Sequence, residues 1–205
     1  MPGPRTRTTS SPLKSRLIEQ AFLLLDREGP DGVTIRAVAR AAGVSHAAPA
    51  NHFADRRQLL TEMASRIFRQ YLDMVTTRGS VSGASRARAY LTALTDYGLS
   101  FPGRYQLLWR KDLVDWQNPA FLDQLNRAYD DFLQALAAGS PRVAARDRDI
   151  ETLGTAAWAM AHGYAVLRST GIFEPRSDAF TGKPRMEAML DLLLGPDEDH
   201  RLPPE

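Results

Sequence analysis

The chain has 205 residues, 43% of them hydrophobic and 24% charged, with a formal net charge of +2, which is long enough for one large or two modest domains with real cores. The absence of cysteine excludes disulfides, thiolate catalysis and Cys-ligated metal sites, and no apolar leader or apolar run of about 18 residues points to export or a membrane span. A cytoplasmic protein is expected, with its mild positive charge gathered at the start, where Arg5, Arg7, Lys14 and Arg16 precede the first acid, Glu19.

Residues 1–11, MPGPRTRTTSS, carry Pro, Thr, Ser and Arg with nothing to bury, so a disordered basic arm is expected. It serves either as a plain solvated terminus or as an arm reaching into a DNA groove. A first helix follows over about Pro12 to Arg27, with Leu13, Leu17, Ile18, Ala21, Phe22, Leu24 and Leu25 on a wide apolar face. Thr34 can then accept a backbone N–H as an N-cap, Ile35, Val38, Ala39 and Ala42 share one face, and Gly43 supplies a left-handed turn. Val44 returns to the core and Ser45 caps a second short helix, which leaves His46, Ala47, Ala50 and Asn51 unneeded for packing. Pro49 lies early enough in that helix to be tolerated. Phe53 plugs the core, and Asp55 with Gln58 starts a longer helix from about Arg56 to Thr77. Two short helices around a Gly turn, with a third behind them, are the layout of a helix-turn-helix that reads DNA.

After a flexible break at 79–85, helices are expected over about Arg86 to Ser100, Gly103 to Leu113, Pro119 to Ala138, Arg146 to Ser169 and Lys183 to Leu194. In the last, Met186, Met189, Leu190, Leu193 and Leu194 keep helical spacing until Gly195-Pro196. The helix over 146–169 has apolar residues on two arcs, Leu153, Met160, Tyr164 and Leu167 on one and Trp158, Ala165 and Val166 on another. It needs two partners: its own core and either the same helix of a second copy, as an isologous four-helix interface requires, or further parts of a monomer. No strand-period alternation or internal repeat is present. The fold class is all-α: a basic arm at 1–11, a three-helix DNA-binding domain at 12–55, a helical ligand-binding and dimerisation domain at 56–195, and a tail at 196–205.

The run from Leu13 to Leu60 resembles the DNA-binding domain of the TetR/AcrR family of bacterial transcriptional regulators. The resemblance rests on Ala21-Phe22, Gly29, Gly32 and Thr34, AlaArgAlaAlaGlyValSer at 39–45, and His52-Phe53 before Arg56 and Leu59. PheProGlyArgTyr at 101–105 and Trp158-x-x-x-His162-Gly163 resemble the ligand domain of a subgroup of that family named for its Trp, His and Gly. The resemblance implies a homodimer, joined through the helices at about 146–169 and 183–194, that presents two recognition helices to successive major grooves of a pseudo-palindromic operator. A small-molecule effector would release the DNA.

For the DNA site, Thr34 at a helix N-terminus and Arg36 are candidates for phosphate, and Arg56 stands where the family usually has a phosphate-holding Lys. His46 and Asn51 are candidates for base edges, Ala47 and Ala50 for thymine methyls, with Ser45 capping and His52 either on a phosphate or half-buried. The sequence departs from the family at Ala50, where an aromatic that contacts the DNA backbone is usual. For the ligand, aromatics crowd the chain after residue 90, Trp116, Phe121, Tyr129 and Phe132 among them. Tyr97, Phe101, Tyr105, Trp109, Trp158, His162 and Tyr164 are the candidates to line an apolar pocket. His162 either orients the ligand or is a core residue satisfied by a carbonyl, and Gly163 is read as permitting close helix packing. Histidines 46, 52, 162 and 200 lack metal spacing, and neither GxSxG nor a Gly-rich phosphate loop occurs, so no metal, cofactor or enzymatic activity is expected. The function expected is a TetR-type regulator, a repressor. The alternatives are a helical protein that only binds a small molecule and a DNA binder with no effector.

Overall fold

The computed structural model describes residues 12–78, 84–139 and 149–196. The expected arm at 1–11, residues 79–83 of the break, 146–148 of the predicted two-faced helix and the tail after Pro196 lie outside them. Helix α1 spans Pro12–Gly32 with a break at Gly29, which adopts φ 72. A residue before proline is disfavoured in the α-region, and glycine takes the left-handed alternative at no steric cost. The helix buries Leu17, Ile18, Ala21, Leu24 and Leu25, the stripe its spacing predicts.

Helix α2 spans Ile35–Ala41, and the Thr34 hydroxyl accepts from the Ala37 N–H at 3.1 Å. It ends with Gly43 at φ 65, the Gly43 N–H on the Arg40 carbonyl and the Val44 N–H on the Ala39 carbonyl, the paired closing bonds of a Schellman motif. The next segment differs from expectation. It is not an α-helix capped by Ser45 but a 3-10 turn over Ala48–Asn51 that no side chain caps. Pro49 has no N–H to reach back four residues. The Ser45 carbonyl takes the Ala48 N–H instead, and the Ala47 carbonyl takes that of Ala50, so the chain winds at three-residue spacing. Pro49 and Phe53 are both buried and pin the turn at each end.

Helix α3, Arg56–Arg78, starts at a capping box in which the Gln58 N–H donates to Asp55 and the Gln58 side chain accepts from the Ala54 N–H. Its first turns bury Leu59, Leu60 and Met63; its later turns bury Ile67, Phe68, Tyr71 and Val75, so one rod runs from the reading head into the C-terminal half. Helix α4, Ala84–Ser100, packs against α3 and every later helix, and is buried on nearly all sides. Its Arg88 is 6% exposed, a charge made tolerable by pairing with Asp191 at 2.8 Å.

Helix α5, Pro102–Leu108, stops short of the expected Leu113. Trp109 and Arg110 bond three residues back, and the chain turns so that Val114 enters the core while its carbonyl accepts from Arg57. Helix α6, Pro119–Gly139, is capped by Asn118; helix α7, Ile150–Ser169, by Asp149; helix α8 runs over Arg185–Leu194 and ends at Gly195, φ 88. On α7 the buried arc is Leu153, Gly154, Ala157, Ala161, Tyr164 and Ala165, so Ala165 joins the first of the expected arcs. Met160 and Leu167 sit half-buried at its margin, while Val166 is exposed. Among the described residues there is no strand, only an isolated bridge between Ser177 and Pro184, and no helix long and apolar enough to cross a membrane.

Candidate nucleic-acid interface and ligand cavity

The outer face of α2 and the 3-10 turn form one polar surface. Thr34, Arg36, Arg40, Ser45, His46, Ala47, Ala50 and Asn51 are all exposed, while Val38, Ala39, Pro49 and Phe53 hold the same segments to the core from beneath. Arg36 and Arg40 lie one turn apart, and among the described residues no carboxylate pairs with either. Arg36 in the first turn of α2 and Arg40 in its last put two exposed cations along one helix, an arrangement that suits a phosphate backbone. Arg56 is engaged within the chain. Its Nε donates to the Val33 carbonyl at 2.7 Å and its Nη2 to the Pro30 carbonyl at 2.8 Å, so it fastens the start of α3 to the α1–α2 connection. His52 is half-buried with its ring edge-on to Phe53.

In the C-terminal half, α3, α6, α7 and the turn after α5 frame a cavity of about 470 Å³ that opens to solvent beside Tyr129 and Thr155. That volume lies within the range of about 300 to 1,000 Å³ common to small-molecule sites. Its walls are Phe68, Trp109, Trp116, Tyr129 and Trp158 with Leu122 and Leu125, and its polar atoms come from Asn126, Thr155 and His162. All three tryptophans of the chain therefore face this space. The His162 ring lies 4.8 Å from that of Trp109, edge to face, and its Nδ1 is 2.7 Å from the Tyr105 hydroxyl. Burial lowers the pKa of His162 below its ordinary 6.5, which keeps the imidazole neutral. Burial likewise pushes the Tyr105 phenol well up, with the neighbouring Trp109 indole offsetting a part. On the far side of the wall made by Trp109 and His162 lies a second groove of about 440 Å³ beside Tyr105, Gln106 and Ser169.

Helix α5 joins cavity and reading head. Its Tyr105 leads to His162, and Arg104 forms a bidentate pair with Asp26 of α1, at 2.8 and 2.6 Å, while stacking over Phe22 and Phe101. The Arg104 side chain also reaches Gln70 of α3, which accepts from the Tyr97 hydroxyl; burial raises the pKa of Tyr97 to about 12. Gly103 lets the backbones meet, for a β-carbon there would stand 3.0 Å from the Leu25 carbonyl oxygen.

Two family models match the chain, one described as bacterial regulatory proteins of the tetR family over residues 17–63, the other as a tetracyclin repressor-like C-terminal domain over residues 87–193. The chain belongs to the TetR family. The C-terminal match does not distinguish the Trp-His-Gly subgroup. TetR-family members are transcriptional regulators, not enzymes, that bind DNA and small-molecule ligands and dimerise. No curated protein matches the chain significantly. Solved structures share the TetR fold. A protein of unknown function from Rhodococcus sp. RHA1 has 24% identity and a TM-score of 0.70 over 93% of this chain and 97% of its own. A regulatory protein in the tetR family from Rhodococcus RHA1 has 16% identity and a TM-score of 0.65 over 90% and 96%. The TetR family regulator PfmR from Thermus thermophilus has 19% identity and a TM-score of 0.62 over 93% and 99%.

Within this TetR fold the seven ligand candidates separate. Trp109, Trp158 and His162 line the cavity, and Tyr105 backs it through His162. Tyr97 is buried on Gln70, Phe101 lies under Arg104 at the α4–α5 corner, and Tyr164 faces Phe173 across a different groove between α7 and α8. Those three stand away from the cavity that the tryptophans line. Trp116 and Tyr129, legible only as members of the aromatic cluster, and Phe68, Asn126 and Thr155 complete the walls. Phe68 carried no local signal, being one more apolar position on a long helix. A β-carbon at Gly163 would meet nothing within 4 Å, so close packing within the chain does not explain that glycine.

Proposed function

We propose that this TetR-family chain is a repressor that binds a pseudo-palindromic operator as a homodimer and releases it when a small apolar or aromatic molecule enters the cavity walled by the three tryptophans. The observation that carries the reading is the continuity from Trp109 and Tyr105, through α5, to Asp26 of α1. A ligand that prefers one setting of that wall shifts the reading head only by its difference in affinity between two states. On this reading residues 12–55 are the DNA-binding domain and 56–195 the ligand-binding and dimerisation domain, in the cytoplasm at the nucleoid.

Phosphate contacts fall to Thr34 and Arg36, joined by Arg40. Base edges fall to His46 and Asn51, with Ala47 and Ala50 against thymine methyls, Ser45 and His52 flanking, and Arg56 holding the frame. Dimerisation through 146–169 and 183–194 is supported by the exposed apolar side chains there, Val166 and the 80%-exposed Leu192, beside Met160, Met189 and Leu193, which the chain's own core covers only in part. The short 3-10 turn with Ala50 favours one other reading, a ligand-binding protein whose head no longer reads sequence.

Selection of the purified protein against random duplex DNA at near-physiological salt decides between them. A two-fold symmetric motif is the expected result; no enrichment would leave only ligand binding. Two recognition segments about 34 to 36 Å apart are needed for successive grooves, so sedimentation showing only monomer at micromolar concentration would end the dimeric model.

A further inference from the structure

Residues 171–184, which join α7 to α8, lie between the two helices of the proposed dimer contact. Among the described residues eight large hydrophobic side chains are exposed, and five of them, Val166, Ile172, Phe173, Phe180 and Leu192, fall on this connection or on the two helices it joins. Phe180 is 100% exposed. A slack loop could lay such a ring on its own surface, but this one is tied. The Asp178 N–H donates to the Lys183 carbonyl at 2.8 Å, the Gly182 N–H returns to the Asp178 carbonyl at 2.9 Å, and Gly182 takes φ 70. The Asp178 carboxylate accepts from the Phe180 N–H at 3.1 Å and from the Thr181 N–H and hydroxyl at 2.8 and 2.9 Å. Outside this turn Ser177 bridges to Pro184, and Lys183 pairs with Asp191 at 2.6 Å and Glu187 at 3.6 Å on α8. The turn is thus a fixed extension of α8, with Phe180 held in solvent at its tip.

Between α7 and α8 lies a groove of about 770 Å³ whose apolar side is made by Tyr164, Phe173, Met189 and Leu192. Phe180 does not line it, so each copy carries an apolar knob and an apolar hollow that do not fill each other. We infer that Phe180 of each copy seats in the α7–α8 groove of its partner, making the connection a reciprocal clasp of the dimer. The inference rests on the reading of the chain as a dimer through α7 and α8, since the clasp continues that face. A two-fold axis satisfies knob and hollow in both copies at once, because an isologous contact occurs twice. A second copy fits better than an unrelated partner because the exposed apolar side chains gather on the elements proposed to meet across that axis, in a family whose members dimerise. The fixed turn also lowers the ordering cost of the contact.

Sedimentation equilibrium of the parent and of Phe180→Ser tests the clasp. Burial of one phenyl ring is worth at least about tenfold in an association constant, and the axis buries two. The dimer dissociation constant is therefore expected to rise by about a hundredfold in Phe180→Ser, with helix content by circular dichroism unchanged because the exposed ring supports nothing within its own chain. The absence of cysteine permits a second test. Phe180→Cys protein mixed with Met189→Cys protein under mild oxidation should give a covalent dimer joining the two variants, since a disulfide forms only where the α-carbons come within about 7 Å. A parent dimer with an equal dissociation constant in Phe180→Ser would overturn the clasp and leave Phe180 to a partner other than this chain, with the α7–α8 dimer intact. A weakened dimer without the mixed disulfide would overturn the groove as the seat. A parent that is only monomeric at micromolar concentration would end the dimer reading, and the clasp with it.

Discussion

Gly103→Ala tests whether the reading head and the cavity are held in register by the close approach of α5 to α1. The added β-carbon would stand 3.0 Å from the Leu25 carbonyl oxygen, a backbone atom inside α1. Carbon–oxygen contacts settle at about 3.3 to 3.6 Å, so the two helices must part by roughly 0.3 to 0.6 Å. Overpacking of this kind costs about 1 to 3 kcal/mol, and the gain of Ala over Gly in a helix returns at most about 0.5 to 1 kcal/mol. A net loss near 1 kcal/mol is expected, seen as a fall in melting temperature of about 2 to 4 °C for a chain of this size. The displacement falls next to the Arg104–Asp26 pair, so operator affinity and its response to ligand should change in the same variant. Calorimetry with fluorescence anisotropy on the selected operator reads both. A variant as stable as the parent, with unaltered affinity and response, would refute the claim that this contact transmits anything.

Arg104→Ala removes the bidentate pair with Asp26 without touching the cavity walls, so cavity probes should still bind while their effect on DNA affinity shrinks; an undiminished effect would exclude this route. Arg56→Ala should cost about 1 to 3 kcal/mol, because the buried carbonyl groups of Pro30 and Val33 lose a charged donor, whereas Arg36→Ala should leave the melting temperature unchanged and lower the salt dependence of DNA binding by about one ion. Equal melting losses in the two variants would contradict this division of roles. Gly163→Ala, whose new methyl meets nothing, should stabilise by about 0.5 to 1 kcal/mol; a lowered melting temperature would place Gly163 against a second molecule. His162 titrates below its ordinary 6.5 because it is buried, so the unfolded chain binds the proton first. Its contribution to stability is complete above pH 6.5 and is lost as pH falls below it. In His162→Gln the melting temperature should depend less on acid, and identical slopes would remove His162 from the account.

The reading head was legible because its signals are local. A threonine cap, a glycine at positive φ and an Asp-x-x-Gln box each act over three or four residues, and all three appear as written. The recognition segment was the exception, since the three-residue winding around Pro49 depends on where Val44 and Phe53 are anchored as much as on the proline. In the C-terminal half the helices were legible and the cavity only in part. Trp109, Trp158 and His162 reach it, but Tyr97, Phe101 and Tyr164 carry the same apolar character and face elsewhere. Which aromatic borders a void depends on how α3, α6 and α7 approach one another, and no periodicity within one helix encodes that. The carbonyl partners of Arg56 were illegible for a related reason: a cation at a helix start suits phosphate and carbonyl groups equally, and only the fold brings Pro30 and Val33 within its reach.

Because Arg56 locks the first turn of α3 to the α1–α2 connection, the head has no hinge of its own there. It rides on the end of a stiff lever whose other arm passes the cavity at Phe68. Twelve residues separate Phe68 from Arg56, about 18 Å of helix. A tilt of about 5° pivoting at Phe68 sweeps the reading face by roughly 1.6 Å, and two heads moving apart in the proposed dimer double it. In the proposed dimer, a ligand that tilts α3 by those few degrees would set two rigid feet out of step with the fixed repeat of the double helix.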